Sequence, residues 1–155
     1  MIFVCDADIL STFAKISRID LLQSTLKGEI IIPSSVREDL TLSKSQEVRS
    51  IASIGKSISP AKDENELFQR IISKGIIGKG ESECIAVCKL RKGIFVSNDQ
   101  QAIDVAEQLD IPVLDLETIL FKLKETLPKN EFMNLIQDIE QKDKIKLTSK
   151  DELLS

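Results

Sequence analysis

The chain has 155 residues, 42% hydrophobic and 30% charged, with a net charge of −4, a composition that describes one globular domain able to bury its own core. It contains no histidine, which excludes a Ser-His-Asp triad, histidine-ligated zinc and an imidazole general base. No apolar run approaches the length of a membrane span, so no membrane association is expected. The acidic balance argues against capture of nucleic acid by bulk charge, while a basic bias over residues 37–92 leaves room for a local basic face.

Ile2 to Cys5 is a short apolar run that predicts a strand ending at Asp6, and the start carries neither the basic flank nor the cleavage site of a signal peptide. Ile9, Phe13, Ala14 and Ile16 then recur at helical spacing, with Leu21 and Leu22 in a further helical turn. After Gly28, the β-branched run Glu29 to Ile32 predicts a second strand, and Pro33-Ser-Ser starts a helix through Val36 and Leu40. Residues 45–74 read as helical, with a short strand expected near Ser57 to Pro60. The stretch from Lys74 to Gly80 holds three glycines, a loop whose backbone is able to approach a site closely. It leads into a helix carrying Ile85, Ala86, Cys88 and Leu90, then a strand over Ile94 to Ser97. A helix from Asp99 and a last strand over Ile111 to Leu114 follow, and two helices over 116–127 and 129–141 come before a polar tail. Strands alternating with helices predict an α/β fold, a three-layer α/β/α sandwich around a central, mostly parallel sheet.

Cys5, Cys84 and Cys88 are an odd number without CxxC spacing, which points to reduced thiols in a cytoplasmic protein. Cys84 and Cys88, at i and i+4 of one helix, are read as small buried hydrophobes rather than as metal ligands.

Four acids fall at strand ends or in the first turns of helices: Asp6, Glu38, Glu81 and Asp99. Each has a capping explanation. Glu38 completes a capping box with Ser35, Asp99 suits an N-cap, Glu81 and Glu83 lie in a first turn favoured by the helix dipole, and Asp6 and Asp8 suit the start of the first helix. Together, however, they lie at the carboxyl rim of the expected sheet, where ligands bind in such folds. Several carboxylates brought close repel one another unless a cation joins them, and oxygen donors without nitrogen or sulfur suit Mg²⁺ or Mn²⁺. Such an ion acts on phosphates, and helix N-termini at the rim would help to hold them.

Four segments, Phe-Val-Cys-Asp6-Ala-Asp-Ile-Leu, Ile-Ile-Pro-Ser-Ser-Val-Arg-Glu38-Asp-Leu, Gly-Lys-Gly-Glu81-Ser-Glu-Cys-Ile-Ala-Val and Phe-Val-Ser-Asn-Asp99-Gln-Gln-Ala, resemble in order and spacing the PIN-domain family of metal-dependent ribonucleases. That family includes the toxins of VapC-type toxin–antitoxin pairs. The resemblance covers roughly residues 1–120. It implies Asp6, Glu81 and Asp99 as the main metal ligands, Glu38 as the completion of a catalytic acidic pocket, and Ser97 at a position where the family often has a hydroxyl. Glu81 stands where the family usually has an aspartate. Glu83 is the alternative third acid, Asp104 a candidate outer acid, and Asp8 is read as a cap rather than a ligand. The resemblance further implies an RNA substrate, a homodimer and a small antitoxin partner.

Two other functions fit parts of the same sequence. The Val-Cys-Asp6-Ala-Asp8 start looks like the first motif of haloacid-dehalogenase-type phosphatases, but Ser97 and Asp99 share one strand end and Glu38 and Glu81 stay unexplained. A PIN-like module that binds RNA or protein without turnover is the other. Residues 1–127 are expected to form the nuclease domain. Residues 128–155 supply a helix with an apolar stripe of Phe132, Leu135, Ile136 and Ile139, packing on the domain or contacting a partner, and a tail with a capping box from Ser149 to Glu152.

Overall fold

The computed structural model describes all 155 residues, Met1–Ser155. In chain order the elements are β1 (Ile2–Cys5), α1 (Ala7–Lys15), α2 (Ile19–Thr25), β2 (Glu29–Pro33), α3 (Ser34–Thr41) and α4 (Gln46–Ser50). A single 3₁₀ turn (Ile51–Ser53) leads to β3 (Lys56–Ile58), α5 (Lys62–Ser73) and α6 (Lys79–Arg91). The chain ends with β4 (Ile94–Val96), α7 (Gln100–Gln108), β5 (Val113–Leu114), α8 (Leu116–Thr126), α9 (Lys129–Lys142) and α10 (Lys150–Leu154).

The five strands form one sheet in the order β3-β2-β1-β4-β5, and every pairing is parallel. The expected mostly parallel sheet is thus wholly parallel. Parallel strands need crossover helices, and helices then cover both faces, which is why the strands read as unbroken apolar runs. Val4, Cys5, Ile32, Phe95 and Val96 are fully buried. On one side α6 lies against β1, β2 and β4 and is flanked by α5 and α7. On the other, α1, α2, α8 and α9 form a connected layer, and α3 contacts both α1 and α6. Close backbone approach is demanded at Gly28, where a Cβ would stand 2.3 Å from the Met1 carbonyl oxygen.

The apolar stripe of α9, Phe132, Leu135, Ile136 and Ile139, is buried within this fold. The tail is less polar in its role than in its composition, because Leu147 and Leu153 are buried as well. Its expected capping box does not form: Ser149 makes no side-chain cap bond. Instead Glu117 of α8 accepts hydrogen bonds from the Ser149 amide (2.5 Å) and the Thr148 hydroxyl (2.8 Å). No helix is long and apolar enough to cross a membrane.

The order of strands places a topological switch at the centre. β1 starts the chain in mid-sheet, the next two strands extend it to one side, and β4 returns to the other side of β1. The crossovers leave β1 and β4 in opposite directions, opening a crevice at their carboxyl ends, where Asp6 and the Ser97–Asp99 turn lie.

Candidate metal centre

Asp6 follows β1 directly and is 2% exposed. Its amide donates to the Val96 carbonyl at 3.1 Å, so the end of β1 is pinned to the end of β4. One carboxylate oxygen accepts from the Ile9 amide at 3.1 Å, capping α1. The other accepts from the hydroxyl of fully buried Ser97. Ser97 in turn accepts from the Asp99 amide at 3.0 Å, and Asp99 caps α7 by accepting from the Ala102 amide at 3.1 Å. The loops after the two central strands are therefore one hydrogen-bonded unit, with Ser97 holding Asp6 and ordering the turn that presents Asp99.

The carboxylates of Asp8, Glu81 and Asp99 converge, each offering an oxygen, with these atoms all within 4.8 Å of one another; Asp6, implied by the resemblance as a main ligand, lies outside this group of three but close enough to feel the charges of Asp8 and Glu81. Asp8 lies in the first turn of α1, where Asp6 has already taken the cap, so Asp8 is free to face the cluster. Asp8 is thus not a helix cap, contrary to the expectation for it. Glu81 enters from the first turn of α6. The glycine loop makes room for it: a Cβ on Gly78 would stand 2.9 Å from the Glu81 carboxylate, and one on Gly80 would stand 3.2 Å from the Asp39 carboxylate.

The second acidic motif presents Asp39 toward this loop. Val36 and Asp39, at i and i+3, both face Gly80, and the charge of Asp39 is felt at Asp8 and Glu81. Glu38 is exposed and lies outside the group of three, and its charge acts on Asp39. Nor does it form a capping box with Ser35, because α3 has no side-chain cap of its own. The start of α3 is instead held by Glu83, which is 4% exposed. Glu83 accepts from the Ser34 hydroxyl (3.0 Å), the Ser35 amide (3.0 Å) and the Ser35 hydroxyl (2.8 Å). Of the two neighbouring acids on α6, Glu81 reaches the cluster and Glu83 joins helices. Asp104 is exposed and accepts from Gln100 at 2.8 Å, apart from the cluster.

The electrostatics follow from this crowding. Burial pushes the Asp6 carboxyl up to about 7, opposed by the hydrogen bonds from Ser97 and Ile9 and reinforced by the charges of Asp8 and Glu81. Glu81 is raised by burial and by Asp99, Asp8 and Asp39. Asp8 is raised by desolvation and then by Asp99 and Asp143, with Lys15 opposing. Like charges held together in this way favour either protonation or a cation. The cysteines take no part: all three are free and buried, and burial pushes their thiols upward, away from the thiolate a metal needs.

Asp8 and Asp39 are the two acids that sequence reasoning passed over. Both carried a signal: Asp39, although exposed, lies three residues after the apolar Val36, on the side of α3 that faces Gly80, and Asp8 lies two residues after a cap already supplied by Asp6.

A family model described as a PIN domain matches residues 2–150 of the chain. No curated protein sequence matches it. Among solved structures, the crystal structure of VapBC2 from Rickettsia felis bound to a DNA fragment from their promoter contains a chain of similar fold, with a TM-score of 0.52 and 17% identity. That alignment covers 74% of this chain and 98% of the other.

Proposed function

Because this chain belongs to the PIN-domain family, we propose that it is a divalent-metal-dependent endoribonuclease that hydrolyses RNA phosphodiester bonds, acting in the cytoplasm as the toxin of a toxin–antitoxin pair. The observation that carries this reading is the convergence of Asp8, Glu81 and Asp99 at the carboxyl ends of the central strands, with buried Asp6 close enough to feel two of their charges. The family match supports this reading over the phosphatase alternative.

The donor set fits a hard cation. Oxygens around Mg²⁺ lie about 2.1 Å from the ion, hence about 3 to 4 Å from one another, and three carboxylate oxygens within 4.8 Å come to that spacing by small side-chain rotations. Asp8, Glu81 and Asp99 would hold Mg²⁺ or Mn²⁺ through these oxygens, and Asp6 would add a fourth carboxylate. When bound, such an ion supplies polarisation of a phosphate oxygen and acidification of a water. The chain's own residues do the positioning. Ser97 fixes the Asp6 carboxylate by donating to it and fixes the Asp99 turn by accepting from it. Gly78 and Gly80 admit the Glu81 and Asp39 side chains to the rim. Asp39 and Glu38 add negative charge at the edge, completing the acidic pocket.

A homodimer and a small antitoxin are part of the same reading. The antitoxin is supported by the kinship of fold with a chain from a VapBC2 crystal structure, and the homodimer is carried over from the family resemblance. An open apolar groove of about 440 Å³ lined by Leu67, Ile71, Ile76, Ile77, Val105 and Leu109 adds support.

The deciding experiment is cleavage of a mixed structured RNA pool by wild type, Asp6→Asn and Asp99→Asn, each with Mn²⁺, with Mg²⁺ and with EDTA. Cleavage by wild type that is lost with EDTA and in both variants is expected. A folded wild type that cleaves under none of these conditions would favour the binding module without turnover.

A further inference from the structure

Beside the acidic cluster lies a cleft of about 270 Å³ lined by Asp8, Ser11, Thr12, Lys15, Asn98 and Asp143, with Ile145 at its edge. Residues 8, 11, 12 and 15 of α1 follow one another at helical spacing, so a single polar stripe runs from the cluster to Lys15. The opposite wall is the segment after α9. Asp143 accepts from the Lys15 ammonium at 2.8 Å and from the Thr12 hydroxyl at 2.5 Å. The side chain of Asp143 is 9% exposed and that of Lys15 is 36% exposed. Lys15 has three N–H donors and Asp143 uses one, so the ammonium is held in place with donors left for a ligand. Beyond Asp143 the chain alternates. Ile145 is half-buried and Leu147 buried, while Lys142, Lys144 and Lys146 are exposed, and none of the three lies in an ion pair. Exposed lysines outside any ion pair thus alternate along the chain with Asp143 and Ile145, which line the cleft beside Asp8 of the acid cluster.

We infer that this cleft and its lysine rim form the path of a single-stranded RNA next to the scissile phosphate, with Lys15 binding a neighbouring phosphate and Lys144 and Lys146 following the backbone outward. The inference rests on the nuclease reading and deepens it. The acid cluster repels a polyanion, so an RNA strand needs cations within reach on at least one side, and this is the side where a cleft and unpaired lysines continue from the cluster. Asp143 is a positioning residue in this scheme, since it orients Lys15 and does not itself contact the phosphate. The final segment of the chain, outside the elements that carry the acids, becomes part of the substrate site.

The test uses the full chain and a fluorescently labelled single-stranded RNA. Binding is measured by anisotropy in the Asp99→Asn background without divalent metal, over a range of KCl, and cleavage by otherwise wild-type protein is followed with Mn²⁺. Lys15→Ala and the double variant Lys144→Ala/Lys146→Ala are compared with Lys27→Ala, a surface lysine elsewhere. The salt slope of binding should fall by about 0.7 for each lysine that contacts a phosphate. Lys15→Ala should raise KM about tenfold, the size of one charge-assisted hydrogen bond, with kcat changed little, and Lys15→Arg should restore it. Asp143→Asn should raise KM less than Lys15→Ala does. If wild type cleaves RNA but the lysine variants bind and cleave as Lys27→Ala does, the path is wrong and the nuclease reading stands. If those variants instead lose binding of a polyglutamate peptide, the rim belongs to an acidic protein partner. If wild type cleaves nothing yet binds RNA with the expected lysine dependence, the path stands and hydrolysis falls. Absence of any RNA binding overturns both.

Discussion

Asp6 shows how a single buried carboxylate couples the candidate site to stability. Its pKa in the fold, about 7, lies above the ordinary carboxylate value of 3.8, so between those values the native state holds a proton that the unfolded chain has released. Stability therefore falls as pH rises through this window, by at most on the order of 4 kcal/mol. The raised carboxyls of Asp8 and Glu81 act in the same direction. In EDTA the melting temperature is expected to be higher at pH 5.5 than at pH 8. Mn²⁺ should raise it more at pH 8, where it answers the charge repulsion, and Asp6→Asn should flatten the EDTA profile. A melting temperature in EDTA that rises from pH 5.5 to pH 8 would overturn this account. Ser97→Ala should leave Asp6 short of one donor and loosen the Asp99 turn; with the acids still in place, a fall in activity beyond the loss of stability is expected in the RNA cleavage assay.

At the level of elements, two helices begin without a cap of their own and are capped by a glutamate from another helix. Glu83 of α6 holds the start of α3 through three hydrogen bonds, and Glu117 of α8 holds the start of α10. Glu83→Ala should cost roughly 2–3 kcal/mol, since it leaves Ser35 and its amide unpaired in a buried place, and urea denaturation of variant against wild type measures it. A third glutamate, Glu64 of α5, is 3% exposed and accepts from Arg91 of α6 at 2.7 and 2.9 Å and from the Ala61 amide at 2.8 Å. Arg91 holds its carboxyl below the ordinary range. The sign is opposite to that of Asp6: this contribution is present above the unfolded carboxylate pKa and disappears as pH falls through the lower folded value. Acid unfolding monitored by circular dichroism should therefore begin at higher pH in wild type than in a Glu64→Met/Arg91→Leu pair that keeps the packing, provided the pair retains wild-type stability at pH 7.

For the whole molecule, the C-terminal segment docks back on the fold and at Asp143 reaches α1 beside the acid cluster. Asp143 bonds to α1, Leu147 and Leu153 are buried, and Lys124 of α8 donates to the carbonyls of Glu152 and Ser155 at 3.0 and 3.1 Å. Removing residues 143–155 exposes the surface that these two leucines cover. The expected loss is roughly 3–5 kcal/mol at about 2 kcal/mol for each buried leucine, before relaxation, read as a lower urea midpoint. Full retention of the midpoint would mean that the segment does not dock in solution.

Much of this architecture is legible locally. The β-branched runs at Ile2–Cys5 and Glu29–Ile32, the helical spacing of Ile9, Phe13 and Ile16 and the caps at Asp6 and Asp99 depend on neighbours within a few residues. A parallel α/β fold with acids at its rim follows from their alternation. Which acids meet depends on rotations that no local pattern records. Whether residue 38 or 39 faces Gly80 is settled by how α3 packs on α6, and whether Glu81 or Glu83 reaches the cluster by which of them the start of α3 claims. Asp8 joined the cluster because Asp6 had taken the cap, and Asp143 reached Lys15 across 128 positions of sequence. The sequence by itself determined the elements, their order and the acidic character of one rim, since these arise from short-range sterics, hydrophobic period and capping. Only the tertiary structure decided which carboxylates converge and which cations border them, since those distances are set by packing between segments remote along the chain.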